Sequence, residues 1–178
     1  MAHINLPDGL PGITGPLNNY PETAIHLRGL AETLLRGPSS LTSAERELIA
    51  AYVSAENECT FCMNSHAAVA RSLYGKDRDL VDQAISNFQQ ADLSDKMKAL
   101  LVIAGKVQQG GRRVTEKDVA SARAAGADDK AIHDTVLTAA AFCMFNRYVD
   151  GLATWTPEEA AMYEQAGASI AEKGYLSL

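Results

Sequence analysis

"ERELIAAYVSAENECTFCMNSH", residues 45–66, decides how this chain is read. Its first half is apolar at Leu48, Ile49, Tyr52 and Val53, the spacing of a helix with one buried stripe. Two cysteines and a histidine follow, Cys59, Cys62 and His66. At about 100° per residue, Cys62 lies about 60° and His66 about 20° from Cys59 around a helix, so the three share a face. Val69 and Leu73 continue that face, which turns the thiols and the imidazole toward the interior. Asn57, just before the pair, is placed to cap this helix. A helix start favours thiolate, and a histidine one turn away can take the proton.

Several chemistries use such a motif. Covalent haem attachment needs a histidine directly after the second cysteine, and Met63 stands there. Structural zinc needs four ligands; Cys59, Cys62 and His66 supply three, which leaves zinc as a minority reading. Thioredoxin-type pairs follow a strand, and the chain offers no strand-like alternation. A thiol pair within an α-helical protein remains. The plainer alternative is two small buried hydrophobes and a satisfied core histidine. Upstream, Glu47 has small neighbours on its face, Ala44, Ala51 and Ser54, so another helix can approach it closely. By residue type alone, an exposed glutamate near a helix start is the stronger reading.

Outward from this stretch, turn residues divide the chain into helices. They span about 22–36, 42–55, 59–74, 78–90, 93–109, 115–125, 130–151 and 156–173. Thr42 with Glu45, Thr115 with Asp118, and Thr156 with Glu159 have the pattern of capping boxes. The helix at 130–151 is apolar on most sides through its middle and is expected to be central. Residues 1–21 hold four of the six prolines and three glycines, which suggests an extended arm free to wrap another subunit. The expected architecture is all-α: an arm at 1–21 and one helical domain at 22–178.

Composition narrows the function. With 178 residues, 47% apolar and a net charge of −6, the chain can bury a core without disulfide staples. It has no basic run, so nucleic acid is not an expected partner. Its N-terminus has neither the basic start nor the apolar stretch of a signal peptide. "VLTAAAFCMF", 136–145, is too short to span a membrane, which makes a cytoplasmic protein the default. Asn146 and Arg147 are weaker site candidates that fit capping or a subunit salt bridge better. Cys143 reads as core.

The order Glu47, "CTFC", His66 resembles the AhpD-like alkylhydroperoxidases of the carboxymuconolactone decarboxylase superfamily. "PGITG" and "FNRYVDGLAT" are similar to its branch of peroxidase-related proteins. The resemblance implies a bundle of about seven to eight helices, a redox-active cysteine pair, no metal or organic cofactor, and homo-oligomers such as trimers or hexamers. One position departs: AhpD has a histidine before its second cysteine, and this chain has Phe61. The implied activity is hydroperoxide reduction. Cys62 would attack, Cys59 would resolve, and His66 and Glu47 would relay the proton. An external dithiol, with a lipoylated protein as the candidate, would restore the pair. Cys59, at the helix start, is expected to be the more open of the two to that reductant. Rival readings are a redox-sensing or interaction module and a cofactor-free lactone decarboxylase.

Overall fold

Two of the three expected capping boxes form. Glu45 N–H donates to Thr42 Oγ1 (3.2 Å) while Thr42 N–H donates to Glu45 Oε2 (2.8 Å), and Thr115 and Asp118 repeat the exchange. The third does not. The last helix begins at Ala160, with Glu159 as its cap and no side-chain bond to it. Pro157 holds the residue before it extended, and Tyr163 Oη donates to Pro157 O (2.9 Å), which ties the 154–159 segment off as a loop.

The computed structural model describes residues 1–177, and no strand occurs among them. The helices are α1 (Thr14–Asn19), α2 (Pro21–Arg36), α3 (Ser43–Glu56), α4 (Thr60–Tyr74), α5 (Asp79–Asn87), α6 (Asp95–Gln109), α7 (Glu116–Ala124), α8 (Asp129–Gly151) and α9 (Ala160–Lys173). Short 3-10 turns follow α4, α6 and α9, the last at Tyr175–Ser177. The fold is an all-α bundle of nine helices among the described residues, one or two more than the sequence suggested. The addition is α1.

An antiparallel hairpin of α3 and α4 forms the centre. It is flanked by α9 against α4 and by α6 and α8 against α3. Small residues set the tightest crossing: a Cβ on Gly167 of α9 would come within 2.9 Å of Ala68 and Val69 of α4. The core joins Leu48, Ile49 and Val53 of α3 to Leu100, Leu101 and Ile103 of α6 and Phe142 of α8. Although α8 spans the bundle, it is not covered all round. His133, Leu137, Ala140, Met144 and Arg147 lie exposed along one stripe.

The N-terminal segment is less extended than its prolines suggested. It contains α1, buries Gly15, Pro16 and Leu17, and lies along its own chain. His3 N–H donates to Leu152 O (2.9 Å) and Gly12 N–H to Trp155 O (2.7 Å). Gly12 has φ +52°, and a Cβ there would fall 2.0 Å from the Phe61 ring. Only glycine lets the strap cross this close to the cysteine helix.

Candidate functional site

A three-residue turn joins α3 to α4 and sets the thiols. Asn57 closes α3, Glu58 takes a left-handed φ of 59°, and Cys59 is extended as the cap of α4. Holding Glu58 there costs about 1–2 kcal/mol, which the packed hairpin must offset. Asn57 therefore does not cap α4 as expected. Its amide donates to Asn146 Oδ1 (2.8 Å) and its oxygen accepts from Gln108 Nε2 (3.1 Å), so it ties α3 to α8 and α6 instead. Asn146 is buried in this network, and Arg147 donates to Cys143 O within its own helix.

Cys59 is not the open member of the pair. It is 0% exposed and Cys62 is 4%. The turn pins it: Cys59 N–H donates to Ser54 O (3.0 Å), and its carbonyl accepts from Met63 N–H (2.9 Å). Phe61, Val149 and Tyr163 belong to the apolar cluster that covers it. The Cys62 thiol beside it, burial and the nearby Asp150 carboxylate all push the Cys59 thiol far above its ordinary value. Cys59 stays protonated. Cys62 is the third residue of α4, inside the first turn, where backbone N–H groups lack intrahelical acceptors.

Cys62 and His66, one turn apart, line the same small cavity of about 60 Å³. Ile13, Leu17, Leu27, Phe142 and Phe145 form much of its apolar wall, and Arg28 and Tyr175 add polar groups. Phe142 also packs edge-on against the His66 ring, at 4.5 Å between centroids.

Behind His66 lies Glu47, completely buried. The plain reading of an exposed glutamate does not survive. Its Oε2 faces His66 Nδ1 at 2.7 Å, and its Oε1 accepts from Arg36 Nη1 (2.7 Å) and Tyr175 Oη (2.6 Å). Burial works to raise the Glu47 carboxyl, but His66, Arg36 and Tyr175 outweigh it and hold the group below its usual range. An ionised carboxylate only accepts, so Nδ1 carries a proton and Nε2 is the nitrogen left to take one. Burial and Glu47 push the Tyr175 phenol well above its ordinary value, so it remains a neutral donor.

Arg36 and Tyr175 were not foreseen. Arg36 ends α2, whose terminus is fastened by buried Arg46 donating to Leu34 O and Gly37 O (both 2.9 Å). Tyr175 follows Gly174, which stops α9 at φ +75°, and its N–H donates to Glu32 Oε2 (2.7 Å). A glycine stop followed by an aromatic residue is the sequence signal for a side chain folded back on the bundle. The four foreseen residues do converge: Glu47 and His66 in contact, Cys62 on the cavity, and Cys59 behind it. Among the described residues, no three His, Cys, Asp or Glu side chains form a cluster able to hold a metal ion.

The model of the Carboxymuconolactone decarboxylase family matches residues 21–87, which carry Arg28, Arg36, Glu47, both cysteines and His66. A peroxidase-related protein from Ralstonia eutropha JMP134, described as having an alkylhydroperoxidase AhpD core, has a similar crystal structure. It is 26% identical, with a TM-score of 0.78, over 89% of this chain and 81% of that one. A second peroxidase-related protein, from Silicibacter sp. TM1040, is 27% identical with a TM-score of 0.78, over 92% and 94% of the two chains. The chain is thus similar to the Carboxymuconolactone decarboxylase family over residues 21–87, and to AhpD-core, peroxidase-related structures over most of its length. A protein of unknown function from Agrobacterium tumefaciens shares the fold, at 20% identity and a TM-score of 0.69, over 89% of this chain and all of that one. No curated protein matches the sequence.

Within this AhpD-like frame, Phe61 gives the position before Cys62 a packing role. Its ring lies 6.1 Å from that of Tyr163 and covers Gly12 of the strap. It adds an apolar wall where AhpD carries an imidazole.

Proposed function

We propose that this protein is a thiol-dependent hydroperoxide reductase with Cys62 as the attacking sulfur and Cys59 as the resolving one. The carrying observation is the unequal setting of the pair: Cys62 shares a cavity with His66, while Cys59 is sealed behind it and held neutral. His66 Nε2 takes the Cys62 proton, and Glu47 steadies the imidazolium. The Cys62 thiolate attacks the terminal peroxide oxygen. An S–O bond forms, the O–O bond breaks, and the departing alkoxide takes the proton from His66 to leave as the alcohol. Cys59 then displaces hydroxide from the Cys62 sulfenic acid, giving a disulfide and water. No metal or organic cofactor enters these steps.

An external dithiol must restore the thiols. Because Cys59 is covered, the incoming thiolate meets the Cys62 sulfur and Cys59 is the leaving group, which reverses the access expected from the sequence. A lipoyl group on a partner protein is the candidate donor. The exposed stripe of α8 is the candidate surface for a homo-oligomer.

Purified protein with a hydroperoxide and excess dithiol supplies the test. Repeated turnover is expected. A single stoichiometric oxidation points to a redox sensor instead, and intact thiols point to lyase chemistry like that of the superfamily's namesake. Cys62→Ser is expected to abolish peroxide consumption, and Cys59→Ser to react once and stall as a sulfenic acid that dimedone labels. Labelling of Cys59 in the Cys62→Ser protein, with none on Cys62 in the reverse variant, means the roles are exchanged.

A further inference from the structure

Arg28 stands on α2, one of the polar residues on a largely apolar cavity that also holds Cys62 and His66. Its Nε is buried without a hydrogen-bond partner, and among the described residues no carboxylate pairs with it. In a chain with a net charge of −6 this is not for want of acids. Arg46 spends its donors on the carbonyls ending α2, Arg71 pairs with Asp82 and Glu164, and Arg36 pairs with Glu47. Glu47, the carboxylate behind His66, is therefore already neutralised. A buried guanidinium N–H left without an acceptor, as Arg28 Nε is, is costly to maintain and gains most from an anion that brings its own oxygens.

Building on the peroxidase reading, we propose that Arg28 is a specificity residue: it forms the anion-binding end of the cavity and selects small hydroperoxides that carry a carboxylate. A cavity of about 60 Å³ favours short-chain substrates over bulky ones, which sets the size class. The carboxylate would dock on the Arg28 fork, the short carbon chain would lie on Leu27 and Phe145, and the O–O group would face Cys62. The redox step is the one given above; the anionic group takes no part in its electron balance.

The test pairs a tertiary alkyl hydroperoxide bearing a carboxylate with its methyl ester. It compares kcat/KM for each in the wild type, Arg28→Gln and Arg28→Lys. The wild type is expected to favour the acid at least tenfold, Arg28→Gln to bring the ratio near one, and Arg28→Lys to retain part of the preference. A second readout needs no peroxide: butyrate, and not butyramide, should slow alkylation of Cys62 by iodoacetamide in the wild type and not in Arg28→Gln. A wild-type ratio near one overturns the proposal. So does an Arg28→Gln protein that slows both substrates equally and keeps the ratio, because Arg28 then serves the thiolate. Butyrate protection without any hydroperoxide consumption supports the anion-binding assignment to Arg28 and overturns the peroxidase reading instead.

Discussion

Replacing Glu47 by glutamine changes one atom in a fully buried site, and its cost follows from the geometry. All three partners of the carboxylate are donors: Arg36 Nη1, Tyr175 Oη and His66 Nδ1. Glutamine keeps one acceptor oxygen and introduces an NH2 group that must face a donor. If the oxygen stays with Arg36 and Tyr175, the NH2 points at His66 Nδ1. The imidazole must then accept there and carry its proton on Nε2, the wrong tautomer for taking one from Cys62. If the amide turns over, the NH2 meets Arg36 and Tyr175 instead, and two donors lose their acceptor. Two charge-assisted contacts thus weaken or vanish, each a loss of about 1–1.5 kcal/mol, and the Arg36 charge is left uncompensated; a total near 3 kcal/mol is expected. Denaturant unfolding at pH 7 measures this. Loss of the proton acceptor should slow oxidation of Cys62 by hydroperoxide about 10²–10⁴-fold in single-turnover mixing. Nitrogen NMR of the histidines reports the tautomer directly. A Glu47→Gln protein within about 0.5 kcal/mol of wild type, with the Nδ1–H tautomer kept and thiol oxidation unslowed, would falsify the account of the site.

Acid should unfold the protein through the same cluster: the folded Glu47 carboxyl titrates below its unfolded value, and so does that of Asp134, held by Lys130, Ser39 and His133 against its burial. Their stabilisation is complete above a pH of about 4.3 and is lost as pH falls through the folded values, so the stability curve should steepen below pH ~4 and flatten there in Glu47→Gln. Gly12→Ala should destabilise by about 2–3 kcal/mol, since it combines a positive φ with a Cβ at 2.0 Å from Phe61; thermal unfolding gives the figure, and an unchanged midpoint contradicts the strap packing. Self-association through the α8 stripe should make sedimentation of Leu137→Glu with Met144→Glu approach the mass of one chain, while the parent runs heavier; a parent of one-chain mass at micromolar concentration removes the oligomer from consideration.

Much of the local order was legible in the chain. The stripe Leu48, Ile49, Tyr52 and Val53, the boxes at Thr42 and Thr115, and the one-turn step from Cys62 to His66 are short-range periodicities, and helices obey them wherever they fold. The box at Thr156 failed because a nearby Tyr163–Pro157 contact outcompeted a few local hydrogen bonds. Glu47 showed only part of its role: small neighbours announced a close approach but could not say what approached. Arg36 lies eleven residues before it and Tyr175 lies 128 after it, and each alone looks like any terminal helix residue. The neutralisation of a buried charge is decided by groups that meet only when the bundle closes. The cysteine exposures reversed for a related reason. Sequence position made Cys59 the frayed end of a helix, whereas the turn through Glu58 and the cover of Tyr163 and Val149 made it the sealed one. Spacing along the chain sets which side chains share a helix face; packing across it sets which of them meets solvent, substrate or a counter-charge.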